Sequence, residues 1–122
     1  MKNILIVDDD AALRGMYEGR FTSGGFGVMT AGDGEAGLAL ALEQHPDLVL
    51  LDIDMPKMDG LTVLKKLRLD AWGTTVPVIL LTNLQTNDKI LSEIVQSEPS
   101  YYLIKDQVEP DQVFEKAVEV LG

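Results

Sequence analysis

The stretch LVLLDIDMPKMDG, residues 48–60, runs four apolar residues directly into Asp52. Such a run belongs in a protein interior, yet it ends on a carboxylate, which is costly to bury and gains nothing there from solvation alone. Asp52 is therefore a helix cap, a turn former, or a chemical group held where a core opens to water. The rest of the chain decides among the three.

Short apolar runs rich in β-formers recur at NILIV (3–7), GVMTA (27–31), DLVLL (47–51), VPVILL (76–81) and YYLI (101–104), and these read as strands. Between them apolar residues fall at helical spacing: Leu13, Met16, Tyr17 and Phe21; Ala36, Leu38, Ala39 and Leu42; Val63, Leu64 and Leu67; Ile90, Leu91, Ile94 and Val95; Val113, Phe114, Ala117, Val118 and Leu121. Strand and helix alternate five times. The first, third and fourth strands are almost wholly apolar, as parallel strands covered on both faces are. The pattern predicts an α/β fold, a doubly wound parallel sheet of five strands with five helices and right-handed crossovers. Asp10 and Asp33 stand where N-caps of the first two helices are expected, and Pro110 at a first helical position. Gly24-Gly25, Gly32 and Gly73 fall in connections.

The chain has 122 residues, enough for one domain with a continuous core. Twenty acidic residues against ten basic ones give a net charge of -10, which opposes direct binding to nucleic acid or to an anionic membrane. No cysteine is present, so disulfides, thiolate metal sites and thiol nucleophiles are excluded. The first apolar run stops at acids and no segment reaches transmembrane length, so a cytoplasmic protein is expected. The last helix ends at Leu121, which leads to the expectation of a single domain over residues 1–122 with no output domain.

In an open parallel sheet the ligand site lies beyond the carboxyl ends of the strands, where the strand order reverses. The first strand ends in Asp8-Asp9-Asp10, the third in Asp52, the fourth in Thr82 and the fifth in Lys105. Taken singly, each has a plain role: Asp10 a cap, Thr82 a turn residue, Lys105 a surface charge, Asp54 a turn former before Met55-Pro56. Together they converge on one edge, and two carboxylates from one strand end with one from another imply a cation. All-oxygen ligands with room for waters and a phosphoryl oxygen fit magnesium. DIDMPKMDG has some likeness to a calcium loop, but Pro56 occupies a ligand position and Lys57 the required glycine.

VDDD after the first strand, LLDIDMPKMDG after the third, LLTN after the fourth and YLIK at the fifth resemble, over essentially the whole chain, the receiver domain of two-component response regulators. The resemblance implies a flavodoxin-like strand order 2-1-3-4-5. It implies that Asp52 is the phosphoacceptor for a sensor histidine kinase or phosphotransferase. Mg2+ would be bound by Asp9, Asp52 and the main-chain carbonyl of Asp54, with Asp8 acting through water. Lys105 and the Thr82 hydroxyl would meet the phosphoryl oxygens. Thr82 and Tyr102 would form the switch, altering a surface of helix four, strand five and helix five for a protein target. Tyr101 and Tyr102 alternate across their strand, so either can be the inward one; position relative to Lys105 selects Tyr102. Asp54, Asn83 and Leu84 occupy positions that tune dephosphorylation. Such a domain is a signalling module, acting catalytically only on its own phosphorylation state.

Three departures from the family pattern stand out. Asp106 replaces the usual proline after the lysine, and because a cis bond before a non-proline residue costs roughly 2.5–4 kcal/mol, Lys105–Asp106 is expected to be trans. Glu98-Pro99 replaces Gly-Ala before the fifth strand, and Asn83 replaces a small residue after Thr82. Two competing functions remain. Asp52-Ile53-Asp54 matches the nucleophile motif of haloacid-dehalogenase phosphohydrolases, although there the motif follows the first strand. A receiver-like module that binds its partner without phosphate is the other.

Overall fold

The computed structural model describes residues 1–82 and 88–122. Its elements are β1 (Asn3–Val7), α1 (Ala11–Ser23), β2 (Gly27–Ala31), α2 (Gly34–Gln44), β3 (Leu48–Asp52), α3 (Gly60–Leu69), β4 (Val78–Thr82), α4 (Asp88–Gln96), β5 (Tyr101–Ile104) and α5 (Pro110–Leu121). The strands form one parallel sheet in the order β2-β1-β3-β4-β5, as expected. Successive side chains point to opposite faces of a strand, so each strand feeds two cores. On one face Tyr17 and Phe21 of α1 and Val113 and Ala117 of α5 pack on Ile4, Ile6, Leu48, Leu50, Ile79 and Leu81. On the other, Ala41 of α2, Leu64 and Leu67 of α3 and Ile94 of α4 pack on Leu5, Val7, Val49, Leu51, Val78 and Leu80. This double cover explains the unbroken apolar runs: all of β3 and β4 is buried, while the edge strands β2 and β5 are mostly half-buried.

Two strands shift from expectation, the third running Leu48–Asp52 rather than 47–51 and the fourth Val78–Thr82 rather than 76–81. The fourth strand starts at Val78 rather than at residue 76, because Pro77 has no amide to give the ladder; its carbonyl instead accepts from the Val49 amide at 3.0 Å. The third includes Asp52, which lies opposite Leu81.

Helix faces shift more. Met16, expected inside, is 51% exposed, while α1 buries Tyr17 and Phe21 as expected. In α2 the buried positions are Gly34, Gly37 and Ala41, whereas Ala36, Ala39 and Leu42 face outward. The cause is close approach: a Cβ on Gly37 would stand 2.6 Å from Val7 Cγ1, so α2 docks on β1 through its smallest residue and not its most apolar ones. In α4, Ile94 is buried but Val95 is 67% exposed.

The expected caps are present. The Asp10 and Asp33 carboxylates accept from the amides of Leu13 (3.1 Å) and Ala36 (2.8 Å), and Pro110 opens α5 behind Glu109. Asp59, just past the opening stretch's turn, caps α3 by accepting from the Thr62 amide at 2.9 Å.

The Glu98-Pro99 junction carries strain. Glu98 has φ of +54°, the left-handed region, which costs a non-glycine residue roughly 1–2 kcal/mol. Its side chain is exposed, so the charge interaction with Arg68 that goes with it is weakened by solvent. Glu98→Gly is expected to stabilise the fold by about 1 kcal/mol, read from the urea midpoint at unchanged m-value. A lower midpoint would show that the Glu98 side chain matters more than its backbone.

Candidate functional site

Strand register assembles the site. Val7 lies opposite Leu51, so Asp8 and Asp52 leave β1 and β3 side by side. These are the strands between which the chain changes direction across the sheet, where an open parallel sheet leaves a crevice. On the far side Thr82 lies opposite Ile104, which places Lys105 one step past it. The crevice is a cleft of about 410 Å³ lined by Asp9, Asp10, Leu13, Asp52, Asp54, Lys105 and Asp106. Gly60, the first residue of α3, borders Asp52: a Cβ there would land on the Asp52 carbonyl, so the helix can start this close to the strand end only with glycine.

Lys105 Nζ lies 2.9 Å from Asp8 Oδ2 and 3.0 Å from Asp52 Oδ2, with all three side chains almost shut off from solvent. The remaining oxygens are also held: Asp8 Oδ1 accepts from the Asp10 amide at 2.9 Å and Asp52 Oδ1 from the Asp54 amide at 3.3 Å. Carboxylate oxygens of Asp8, Asp9 and Asp52 lie within 4.8 Å of one another, Asp9 being the exposed member. Three hard oxygen donors beside open space fit a hard divalent cation, and one ammonium does not balance three carboxylates.

The electrostatics agree. Burial pushes the Asp52 carboxyl up from its ordinary 3.8 to about 6, against the pull of the Lys105 hydrogen bond and charge, and Asp8 adds to the rise. Burial lowers the Lys105 ammonium, but its bonds to Asp8 and Asp52 outweigh that and leave its pKa raised. The buried Tyr17 phenol is raised by burial, while Lys105 lowers it and Asp8 and Asp52 raise it further, so this α1 residue, read from sequence only as core, sits in the field of the site.

Every described residue singled out in the sequence can now be placed. Asp8, Asp9, Asp52 and Lys105 come together. Thr82 is fully buried at the end of β4, and Asp54 is exposed on the cleft wall. The Lys105–Asp106 bond is trans, as expected, and a short 3-10 turn over Lys105–Gln107 is enough to aim the ammonium inward. Tyr102 lies opposite Leu80 and packs half-buried on the α2, α3 and α4 side, whereas Tyr101 packs on the opposite face and its hydroxyl donates to Glu119 Oε1 at 2.7 Å. Asn83 and Leu84 lie outside the described residues. The residue missed from sequence is Arg14, whose Nη1 donates to the Asp8 carbonyl at 2.7 Å. A contact to a main-chain atom six positions away leaves no pattern to read.

Comparison with known proteins agrees with this fold. The chain is 44% identical over 91 residues to the DNA-binding dual master transcriptional regulator RpaA of Synechocystis, a match covering 74% of this chain and 38% of that protein. The chain thus spans little more than a third of that relative's length. A CheY-like response regulator receiver domain protein from Methanospirillum hungatei superposes with a TM-score of 0.90 at 28% identity, covering 99% of this chain and 94% of that one. CheY of Borrelia burgdorferi, in a complex with CheX, BeF3 and Mg2+, gives a TM-score of 0.86 at 28% identity over 99% of this chain and 90% of that one. The family model for the response regulator receiver domain matches residues 4–118, which takes in the whole sheet except Asn3, and this chain belongs to that family, the receiver domains of two-component response regulators.

Proposed function

We propose that this receiver domain takes a phosphoryl group onto Asp52 from the phosphohistidine of a sensor kinase or phosphotransferase, and that the change reaches a protein target through α4, β5 and α5. One observation carries this: carboxylates from two adjacent strand ends crowd within 4.8 Å at an open cleft, with one ammonium bonded to two of them.

In the transfer an Asp52 oxygen attacks phosphorus and the P–N bond to the donor imidazole breaks. Its electron pair returns to the nitrogen, which takes up a proton, and an acyl phosphate remains on Asp52. A pKa of about 6 keeps Asp52 ionised, and so nucleophilic, at neutral pH. Asp8, Asp9 and Asp52, with the Asp54 main-chain carbonyl, would hold Mg2+, which supplies positive charge against the phosphoryl oxygens. Lys105 keeps Asp8 as an anchor and offers its ammonium to the oxygens arriving at Asp52. Thr82 offers its hydroxyl from the next strand end. Because Tyr102 and Thr82 share one face of the sheet, movement of Thr82 toward the phosphoryl group opens space that Tyr102 fills, which shifts the population of the α4–β5–α5 surface. Asp54, Asn83 and Leu84 set how long the acyl phosphate lasts.

The likeness to Borrelia CheY, seen with Mg2+ and a protein partner, supports a metal-dependent site that speaks to protein. RpaA is a DNA-binding regulator, but the match covers 38% of it, and the charge of -10 on this chain disfavours nucleic acid as its direct partner. Residues 1–122 act as one receiver unit. No helix among the described residues is long and apolar enough to cross a membrane. A cytoplasmic setting, where kinase phosphohistidines are presented, suits a chain without cysteine.

Intact mass after incubation with acetyl phosphate tests the reading. One phosphoryl adduct that needs Mg2+ and is absent from Asp52→Asn is expected. An unmodified wild type with Mg2+ present would reject it in favour of a phosphate-independent partner module.

A further inference from the structure

Among the three clustered carboxylates Asp9 is held differently. Asp8 and Asp52 are each pinned by Lys105 and by a main-chain amide, whereas the exposed Asp9 carboxylate makes no hydrogen bond within the chain among the described residues. Its direction is therefore set by its own backbone.

That backbone has a charged guide. The peptide joining Asp8 to Asp9 is planar, so the Asp8 carbonyl and the Asp9 amide turn together. Arg14 Nη1 donates to that carbonyl at 2.7 Å. Arg14 is itself seated on the first turn of α1, its amide donating to the Asp10 carbonyl at 2.9 Å. Its guanidinium extends to the turn after β2, where a Cβ on Gly32 would stand in ordinary contact, 3.4 Å from Nη1. One side chain thus ties the Asp8–Asp9 peptide to the first turn of α1.

We propose that Arg14 is a positioning residue for the divalent cation: by fixing the Asp8–Asp9 peptide it aims the one ligand that has no other support. The inference rests on the metal-dependent reading above and adds to it a residue that touches neither metal nor phosphoryl group. Partners that orient a metal ligand typically change affinity by 10–100-fold when removed. Charge alone predicts the opposite sign, since deleting a cation beside three carboxylates should tighten binding of another cation.

Calorimetric titration with Mg2+ alone, on unphosphorylated protein at about 0.1 M salt, separates the two. Arg14→Gln is expected to bind Mg2+ about 10-fold more weakly than wild type, and Arg14→Lys, which keeps the charge and a donor, to recover part of the loss. Thermal unfolding in chelator, run alongside, reports any purely structural effect, which would lower the melting temperature and leave Mg2+ affinity unmoved. Wild-type binding with equal or tighter binding by folded Arg14→Gln would overturn the role of Arg14 and leave the site standing. No Mg2+ binding by wild type would overturn the metal-dependent reading and this inference together.

Discussion

Asp52→Asn will be more stable than wild type by about 2–3 kcal/mol at pH 8 in chelator, and the gain will vanish by about pH 4. The Asp52 carboxyl has a pKa of about 6 in the folded chain against 3.8 ordinarily, burial being the main cause. Between those values the folded state binds more protons than the unfolded state, so stability falls as pH rises. Above about 6 the cost is fully present, at roughly 1.36 kcal/mol for each pH unit separating the two pKa values. Below 3.8 both states carry the neutral acid and no cost remains. The raised value already includes the attraction of Lys105, so the charged form is unfavourable even with its partner. Asparagine keeps the shape, drops the charge and leaves Lys105 paired with Asp8. Urea midpoints of both proteins across pH 4–8 measure the difference. Added Mg2+ should narrow the gap at pH 8, because a cation on Asp52 stabilises wild type more. A variant no more stable than wild type at pH 8, or a gain that ignores pH, would sink the electrostatic account of Asp52.

The second large effect lies away from the cleft. Arg68, near the end of α3, donates from Nη1 to the carbonyls of Gly73 and Val76 (2.8 Å each), from Nε to Ser97 (3.0 Å) and from Nη2 to Glu98 (2.8 Å). One guanidinium therefore joins the loop before β4 to the end of α4, and it gives the strained Glu98 backbone a partner. Burial lowers its pKa, with Glu98 opposing, yet a guanidinium stays charged in proteins. Hydrogen bonds to a charged group contribute about 1.5–3 kcal/mol each, though bonds sharing one donor group do not add. Arg68→Met is expected to cost about 3 kcal/mol in urea unfolding. Arg68→Lys should recover little of it, since one ammonium cannot reach four carbonyls in fork geometry. If Arg68→Met lay within about 0.5 kcal/mol of wild type, the size expected of an ordinary surface change, water would be serving those carbonyls equally well.

Asp52 shows how much of the site could be read in advance. An apolar run that ends on a carboxylate is visible in the residues themselves, because burial of a strand on both faces requires the run and chemistry at a sheet edge requires its end. The same logic exposed Asp8, Asp9, Thr82 and Lys105. Met16 and Leu42 show where that logic stops: hydropathy ranks them as core, but both are exposed, and α2 turns another face inward because Gly37 lets it settle against Val7. Pro77 shifted a strand boundary by a missing donor, a rule readable in sequence once the pairing partner is known.

By itself the sequence determined the alternation of five strands and helices, the parallel sheet, the caps at Asp10 and Asp33, and the set of acids brought to one edge. These follow from local period and residue type, which the backbone imposes on any chain that folds this way. Tertiary structure alone decided that Lys105 bridges Asp8 and Asp52, that Asp9 is left to the backbone, and that Arg14 and Arg68 anchor main-chain carbonyls. Such contacts depend on register between distant segments and on acceptors that every residue carries alike, so composition and spacing hold no trace of them.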